Sequence, residues 1–326
     1  ALAAEAGRLL ERGAESGAYI LLLRAVRADP GSAAPAAALA RLCLDGRRLA
    51  EAVEWADHTA EILLAHALHT ERVQLYVHHD QPLEPVELAA FKHLLRRRLR
   101  REPGAYIVGW KGVWTLELTV TPEVLIPRPE TEGLVEAALA ALNALPHGRT
   151  ARVLDLGTGS GAIVLALAAE APGHRYFASD ISPAAIAVAR RNAEAAGVSD
   201  RVFFWAADWF SALQPVRGVF DLVVSNPPYV ASGDIDRLPP EIARYEPRQA
   251  LDGDADGLRS HRAIVAAAHR HLAPGGRLLL EIGCDQGRAV QQIIEPSGRY
   301  VGFQCTKDYS GRERVVSVRK KDVATP

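Results

Sequence analysis

The tetrapeptide Asn226-Pro227-Pro228-Tyr229 stands at the end of FDLVVSN (220–226), an apolar run of strand length. Two consecutive prolines remove two N–H donors and fix φ, so the chain must leave the strand as a stiff, extended piece with free carbonyls. We expect the Asn226 side chain, the Pro227 carbonyl and the Tyr229 ring to form one rigid set. Such a set would accept hydrogen bonds from a planar –NH2 group and stack on its plane. A proline-rich strand exit without a ligand is the alternative interpretation.

A glycine-rich loop, DLGTGSG (155–161), follows the strand-like run RVLDL (152–156) and precedes the apolar helical stretch AIVLALAAEA (162–171). Glycines let the backbone turn tightly and let a ligand approach closely. The N-terminus of the following helix offers free N–H groups and a partial positive charge, which suits a carboxylate or a phosphate. A tight turn with no ligand remains the other interpretation of this loop.

Two acidic positions follow the next strand-like runs. Asp180 ends RYFASD (175–180), 19 residues after Gly161, where a carboxylate usually accepts both hydroxyls of a ribose. Ser182 and Pro183 are expected to cap and start the next helix. Asp208-Trp209 is predicted to close the third strand, where an acid and a flat aromatic side chain would hold an adenine, although a tryptophan that fills a gap is equally compatible.

Short apolar runs alternate with helical stretches from residue 151 onward, which predicts a βαβ series. The last two runs are too close for a crossover helix, so we expect them to pair antiparallel. The predicted fold is α/β, a doubly wound, mostly parallel seven-stranded sheet. Its strands are RVLDL (152–156), RYFASD (175–180), VFFWAAD (202–208), FDLVVSN (220–226), RLLLEIG (277–283), YVGFQCTKD (300–308) and RERVVSVRK (312–320).

The sequence predicts a helical segment and a linker before this α/β domain. Residues 1–103 show apolar positions at three- and four-residue intervals and are predicted to be helical. Residues 104–126 carry aromatic and β-branched side chains around glycines, which predicts a β-hairpin linker. Residues 127–326 then form the α/β domain, whose first helix starts after two prolines. A basic run over residues 92–101 is either a solvated face or a docking patch for an acidic partner.

Composition excludes several classes of function. Lys+Arg 38 against Asp+Glu 39 gives a formal net charge of −1, which argues against a polyanion binder held by overall charge. The cysteines Cys43, Cys284 and Cys305 form no CxxC pair and the histidines form no HExxH motif, so we expect no metal site and a reducing compartment. No apolar run reaches the roughly 18 residues of a membrane span. Acids and arginines interrupt the first apolar residues, so no signal peptide is expected and the predicted location is cytoplasmic.

The tetrapeptide together with DLGTGSG resembles the class I S-adenosylmethionine-dependent methyltransferases that act on planar nitrogen. Further segments are similar to the HemK/PrmC family, which methylates peptide chain release factors. The resemblance covers about residues 50–320, which implies that residues 1–45 are an extension. These segments are ILLAHALHTERVQLYVHHDQPL (62–83), RREPGAYIVGW (100–110), IPRPETE (126–132) and RYEPRQALDGDADGL (244–258).

This resemblance implies S-adenosyl-L-methionine as cofactor, S-adenosyl-L-homocysteine as product and the glutamine of a Gly-Gly-Gln motif as substrate. Asp180 would bind the ribose, and Asp208 and Trp209 would lie against the adenine. Asn226 would touch both cofactor and substrate, and Asn226, Pro227 and Tyr229 would be the catalytic set. The loop residues implied to line the methionine part are Gly157, Thr158, Gly159, Ser160 and Gly161, and those implied to hold the glutamine are Asn226, Pro227, Pro228 and Tyr229.

Other functions remain open from the residues. The loop also matches G-x-G-x-x-A at Gly157, Gly159 and Ala162, so a nicotinamide-dependent oxidoreductase is compatible with it, but that class does not explain the tetrapeptide. Methyltransferases of exocyclic DNA amines carry the same tetrapeptide, although base flipping needs a strongly positive duplex-binding face. A glutamine of a ribosomal protein is the alternative substrate within the family. A non-catalytic interpretation, in which residues 1–60 make the chain mainly an interaction module, rests on a weak helical repeat over 9–56. We expect a monomer that recognises a release factor and does not bind nucleic acid stably.

Overall fold

The structure is a computed structural model that describes residues 59–78, 81–146, 148–213 and 218–321. The predicted extension over 1–45 and the weak repeat over 9–56 lie outside these residues. The chain divides into two compact units, Ala1–Val108 and Gly109–Pro326. No helix among the described residues combines the length and apolarity that crossing a membrane requires.

The described part of the first unit is helical. Residues 59–67 are followed by α1 (Arg72–Val77), α2 (Pro85–Leu99) and α3 (Gly104–Val108). Pro85 stands at the first position of α2, where its missing N–H costs no hydrogen bond. Within the basic run, the Arg97 guanidinium donates to the Glu102 carboxylate at 2.9 and 2.6 Å, so this arginine is engaged inside its own unit.

The predicted hairpin is present but shorter than its sequence segment. Its strands are β1 (Trp110–Val113) and β2 (Leu116–Thr119), which pair antiparallel. The sequence interpretation was wrong for α3, because Tyr106, Ile107 and Val108 bury their side chains in a helical turn. Burial of these side chains outweighs their intrinsic preference for strands.

One buried side chain attaches the hairpin to the glycine loop. Asn192 Oδ1 accepts a hydrogen bond of 2.8 Å from the Thr119 N–H. Asn192 Nδ2 donates to the Thr119 carbonyl at 3.0 Å and to the Ser160 carbonyl at 2.8 Å. The hairpin therefore shares one fully satisfied amide with the loop that follows β3.

The second unit is built on a seven-stranded sheet of order β5-β4-β3-β6-β7-β9-β8. β3 to β7 run parallel, and β9 lies antiparallel between β7 and β8. The predicted fold class and the antiparallel last pair are confirmed. Dinucleotide-binding sheets have the order 3-2-1-4-5-6, without this inserted strand. The strands are β3 (Arg152–Leu156), β4 (Arg175–Asp180), β5 (Val202–Ala206), β6 (Phe220–Ser225), β7 (Leu272–Glu281), β8 (Tyr300–Lys307) and β9 (Glu313–Lys320).

Helices cover both faces of the sheet because both faces are apolar. Val153 of β3 belongs to one buried cluster and its neighbour Leu154 to the other. Successive side chains of a strand point to opposite faces, so this alternation needs a helical layer on each side. The helices are α4 (Glu132–Asn143), α5 (Ala162–Glu170), α6 (Pro183–Ala195), α7 (Pro240–Tyr245), α8 (Arg259–His271) and α9 (Gly287–Ile294).

Candidate active site

A cavity of about 610 Å³ opens at the carboxyl ends of β3, β4 and β6. This is the place where open α/β sheets bind ligands, and the volume lies in the usual range of roughly 300–1,000 Å³. Most predicted site residues line the cavity, but Gly161, Pro227 and Tyr229 are not among its lining residues. Those that do line it are Gly157, Thr158, Gly159, Ser160, Asp180, Asp208, Trp209, Asn226 and Pro228.

The glycine loop has the conformation that its composition requires. Gly157, Gly159 and Gly161 have φ of +71°, +56° and +89°, a region that other residues rarely adopt. A Cβ on Gly161 would also lie 2.9 Å from Leu165 Cδ1, so this glycine permits close packing at the start of α5. Gly161 therefore shapes the loop from behind, while the residues before it face the cavity.

Asp155 is a buried acid beneath the loop. Its Oδ2 accepts a hydrogen bond of 2.7 Å from the Thr158 hydroxyl, and its Oδ1 has no partner among the described residues. Burial raises the pKa of Asp155 to about 7; the nearby Asp180 also raises this pKa, and the Thr158 hydroxyl lowers it. The hydrogen bond between Thr158 and Asp155 therefore fixes the position of the glycine loop relative to the end of β3.

Asp180 carries a carboxylate that is already oriented. Its Oδ2 accepts from the Gly159 N–H and its Oδ1 from the Ser182 N–H, both at 2.9 Å. Burial raises the pKa of Asp180, and the hydrogen bonds from these N–H groups lower it. Each oxygen keeps a lone pair, which suits recognition of two neighbouring hydroxyls. Ser182 caps α6 as predicted, with its hydroxyl accepting from the Ala185 N–H.

The aromatic wall of the cavity comes from Trp209. β5 ends at Ala206, so Asp208 and Trp209 belong to the segment after the strand, whereas the sequence interpretation extended the strand to Asp208. Trp209 has φ of +46°, and a Cβ on Gly157 would lie 3.5 Å from its ring. Ile181 also lines the cavity and is 51% exposed, a residue that sequence reasoning missed. In the sequence, the signal for Ile181 was an apolar side chain directly after the predicted ribose-binding acid Asp180.

The tetrapeptide is fixed by two other segments. Asn226 Nδ2 donates a hydrogen bond of 3.2 Å to the Thr131 hydroxyl. Val230 pairs with the segment over residues 251–253, and the Tyr229 carbonyl accepts a hydrogen bond of 3.0 Å from Gln286 Nε2. The Tyr229 carbonyl is therefore occupied, which corrects the expectation that the carbonyls of this exit stay free. Residues 226–229 belong to no helix, strand or turn.

The segment over residues 244–258 packs directly against this exit. Gly257 has φ of +73°, and a Cβ there would lie 2.3 Å from the Tyr229 carbonyl oxygen. Glu246 is 6% exposed and accepts hydrogen bonds from the Ile126 N–H at 3.2 Å and from the Arg128 guanidinium. Two segments that are far apart in sequence thus meet beside the cavity through one ion pair, in which the carboxylate is buried and the guanidinium is partly exposed.

Glu281 is a further buried acid, at the carboxyl end of β7. The Tyr229 hydroxyl lies 3.5 Å from its Oε1. Burial raises the pKa of Glu281 to about 7, whereas the Thr131 hydroxyl and the Arg314 guanidinium lower it. Burial is also the main reason that the pKa of Tyr229 is raised. A charged residue at the end of an apolar strand was the signal for Glu281, but its partners could not be read from sequence.

No group of three or more histidine, cysteine, aspartate or glutamate side chains with metal-binding geometry occurs in the described ranges. The cavity instead offers a glycine-lined wall, an oriented carboxylate, an indole ring and a carboxamide. This combination of groups fits a nucleoside carrying an amino-acid group next to a second, amide-bearing ligand.

Much of the chain is similar to known proteins. Residues 46–109 match the family model described as PrmC N-terminal domain, and residues 133–239 match the model described as Methyltransferase small domain. The release factor glutamine methyltransferase of Cereibacter sphaeroides is 45% identical over 273 residues, covering 84% of this chain and 94% of that relative. The protein of the same name from Geobacter sulfurreducens is 45% identical, covering 82% of this chain and 90% of its own.

Solved structures share the architecture at lower identity. The hMettl16 catalytic domain in complex with MAT2A 3'UTR hairpin 6 aligns with a TM-score of 0.51 and 18% identity, covering 65% of this chain and 78% of that one. At this identity the likeness concerns the fold alone.

Proposed function

This chain belongs to the release factor glutamine methyltransferase family, and we propose that it methylates the glutamine side-chain nitrogen in the Gly-Gly-Gln motif of a peptide chain release factor. The methyl donor is S-adenosyl-L-methionine. The observation that supports the amide substrate most directly is the Asn226 carboxamide, held by Thr131 at the wall of a cavity that also contains the glycine loop and Asp180.

The cavity fits the donor. We assign the nucleoside to the wall formed by Asp180 and Trp209, where Asp180 accepts from the ribose hydroxyls and the indole packs against the adenine. Asp208 lies beside this wall. The amino-acid end lies against the loop of Gly157, Thr158, Gly159, Ser160 and Gly161. When bound, S-adenosyl-L-methionine supplies a methyl group that its sulfonium makes strongly electrophilic.

The substrate amide is held by acceptors. Asn226 Oδ1 and the Pro227 carbonyl accept the two hydrogens of the glutamine –NH2 group, and Pro228 keeps this exit stiff. Accepting both hydrogens favours a pyramidal nitrogen and stabilises the positive charge that develops there during methyl transfer. An amide nitrogen is a poor nucleophile because its lone pair is delocalised, so this polarisation is the main contribution of the chain to the reaction.

Tyr229 completes the substrate site from one side. Its ring packs on the amide plane, and its position is set by Gln286 at the backbone and Glu281 at the hydroxyl. Holding the amide against a wall excludes water and aligns the nitrogen for transfer. The nitrogen loses its proton after methylation, so no side chain has to act as a base before transfer.

The remaining assignments concern partners and organisation. Residues 1–103 serve substrate recognition, and residues 104–126 link them to the catalytic domain over 127–326. The enzyme acts as a cytoplasmic monomer. The substrate is protein rather than nucleic acid, which agrees with the formal net charge of −1.

Mass spectrometry tests the proposal. Purified chain is incubated with S-adenosyl-L-methionine and a bacterial-type release factor, and the Gly-Gly-Gln peptide is examined for a gain of one methyl group. A release factor with this glutamine replaced by alanine is the matched control. Methylation of ribosomal protein or of DNA adenine, with an unmodified release factor in parallel reactions, would reject the proposed substrate.

A further inference from the structure

Glu281 lies behind the amide-binding exit, and the mechanism given above uses it only at the Tyr229 hydroxyl. Its side chain is 1% exposed, and it is not among the residues that line the cavity. Oε1 is 3.5 Å from the Tyr229 hydroxyl, and the Thr131 hydroxyl is close enough to lower the pKa of the carboxyl group. Thr131 in turn accepts from Asn226 Nδ2 at 3.2 Å. Glu281 Oε2 is buried and has no hydrogen-bond partner among the described residues, so the hydroxyl hydrogen of the nearby Thr131 is the donor that it lacks. The carboxylate thus adjoins both side chains that hold the substrate amide.

The Glu281 carboxylate determines which group donates and which group accepts in each of these hydrogen bonds. An ionised carboxylate only accepts hydrogen bonds, whereas a hydroxyl has one hydrogen to donate. When Thr131 donates to Glu281, its lone pairs are left to accept from Asn226. The –NH2 side of the Asn226 carboxamide then faces Thr131, and Oδ1 remains to accept from the substrate.

The direction matters because the two ends of a carboxamide are nearly the same in shape. A flipped Asn226 would present its –NH2 group to the –NH2 group of glutamine, donor against donor. Packing alone discriminates weakly between the two orientations, whereas a one-way chain of hydrogen bonds excludes the wrong one.

We infer that Thr131 and Glu281 are a positioning pair that sets the orientation of the Asn226 carboxamide for the substrate amide. The inference rests on the proposed function, since it concerns the same site. Glu281 also accepts a hydrogen bond from the Tyr229 hydroxyl, so the pair positions both side chains that contact the substrate glutamine. Neither residue touches the reacting atoms.

The first test compares two variants of one side chain. Thr131→Val keeps the shape of threonine and removes its hydroxyl, whereas Thr131→Ser keeps the hydroxyl. We expect Thr131→Val to lower kcat on release factor about 10- to 30-fold, the effect of one lost hydrogen bond of about 1.5–2 kcal/mol. Thr131→Ser recovers most of this loss, and KM and cofactor affinity change less than about threefold in both variants.

Ser297→Ala is the matched control for loss of a hydroxyl. The Ser297 hydroxyl donates to the Ile294 carbonyl at 2.6 Å, and Ser297 does not line the cavity. This variant should turn over like the unsubstituted protein. Equal losses of kcat in Thr131→Val and Thr131→Ser would point to packing and overturn the inference.

The second test asks whether the two residues act as a unit. Glu281→Gln keeps the size of the side chain, and we expect it to lower kcat by a similar factor. Thr131→Val combined with Glu281→Gln should be no slower than the slower single variant, because both remove the same chain of hydrogen bonds. Multiplication of the two losses would contradict a shared role.

A third readout needs no release factor and separates this inference from the proposed function. Neutron diffraction structures of Thr131→Val and Thr131→Ser with S-adenosyl-L-homocysteine, which locate the –NH2 hydrogens, should show Asn226 rotated or in two orientations only in the valine variant. An unchanged Asn226 hydrogen-bonding environment in Thr131→Val would reject the positioning role, whatever the substrate proves to be. If Asn226 is rotated in Thr131→Val but the unsubstituted protein leaves release factor unmethylated, the positioning role stands and only the proposed substrate is rejected.

Discussion

The Asp180 carboxylate and the Gly159 backbone are joined by a hydrogen bond of 2.9 Å, in which Gly159 N–H donates to Asp180 Oδ2. The end of β4 is thereby tied to the loop that follows β3. The proposed ribose-binding and methionine-binding parts of the cavity are consequently one rigid unit. A substitution at Asp180 should affect both the loop and the nucleoside.

Asp180→Asn should weaken cofactor binding about 10- to 100-fold, because a neutral amide replaces a charged acceptor of hydroxyl hydrogens. Isothermal titration with S-adenosyl-L-homocysteine measures the loss. Asp200→Asn is the control, since Asp200 is an exposed acid that forms an ion pair with neighbouring Arg201. Equal affinities of the two variants would exclude Asp180 from the cofactor site.

Asn226→Ala should reduce kcat about 100- to 1,000-fold, the usual effect of removing an acceptor or donor that stabilises developing charge. Cofactor affinity should stay within about threefold, because the carboxamide acts mainly on the substrate. Single-turnover methylation at saturating cofactor gives the rate. Near-normal turnover would remove Asn226 from the catalytic set.

Gly257→Ala should lower both stability and turnover. A Cβ at this position overlaps the Tyr229 carbonyl oxygen at 2.3 Å, and φ is +73°. Gly298→Ala is matched for backbone strain, with φ of +63° and no atom within 4 Å of the added Cβ. Gly298→Ala should cost about 1 kcal/mol and keep full turnover. Thermal unfolding and kcat measured together would show whether the close contact at Gly257 matters.

The pH dependence of turnover should report Glu281. Burial raises the pKa of this group to about 7, with Thr131, Arg314 and Tyr229 lowering it and Glu130 raising it. The ionised form is the acceptor, so kcat should rise from about pH 6 to about pH 8 and then level off. Glu281→Gln should abolish this rise. A rise that persists in the glutamine variant would belong to another group.

The free energy of unfolding should fall as pH rises, whereas kcat rises, and Asp155 is the reason for this fall. Burial raises the pKa of Asp155 from 3.8 to about 7 in the folded protein. The folded state therefore binds more protons than the unfolded state between these values, and the free energy of unfolding falls as pH rises from about 4 to about 7. The slope due to this group is at most about 1.4 kcal/mol per pH unit. Urea unfolding of Asp155→Asn should show a flatter profile, and an unchanged slope would contradict this origin.

Several features of the fold and the site were predictable because they are local. β3 and β4 begin and end where the apolar runs RVLDL and RYFASD do. The positive φ values of the loop follow from glycine itself, and the stiff exit after Asn226 follows from two prolines. Errors arose where packing competes with propensity, as in α3 and at the end of β5.

The sequence by itself determined the order of the elements, the strand–loop–helix around Gly157 and the stiff exit at Asn226, since each depends on the conformational preferences of neighbouring residues. Only the tertiary structure decided which side chains hold that exit. Thr131 is 95 positions from Asn226, and Glu281 is 52 positions from Tyr229. Their meeting depends on how the turn before α4 packs against the ends of β6 and β7. No periodicity encodes such a contact, because it is the joint result of burial and hydrogen bonding across the whole sheet.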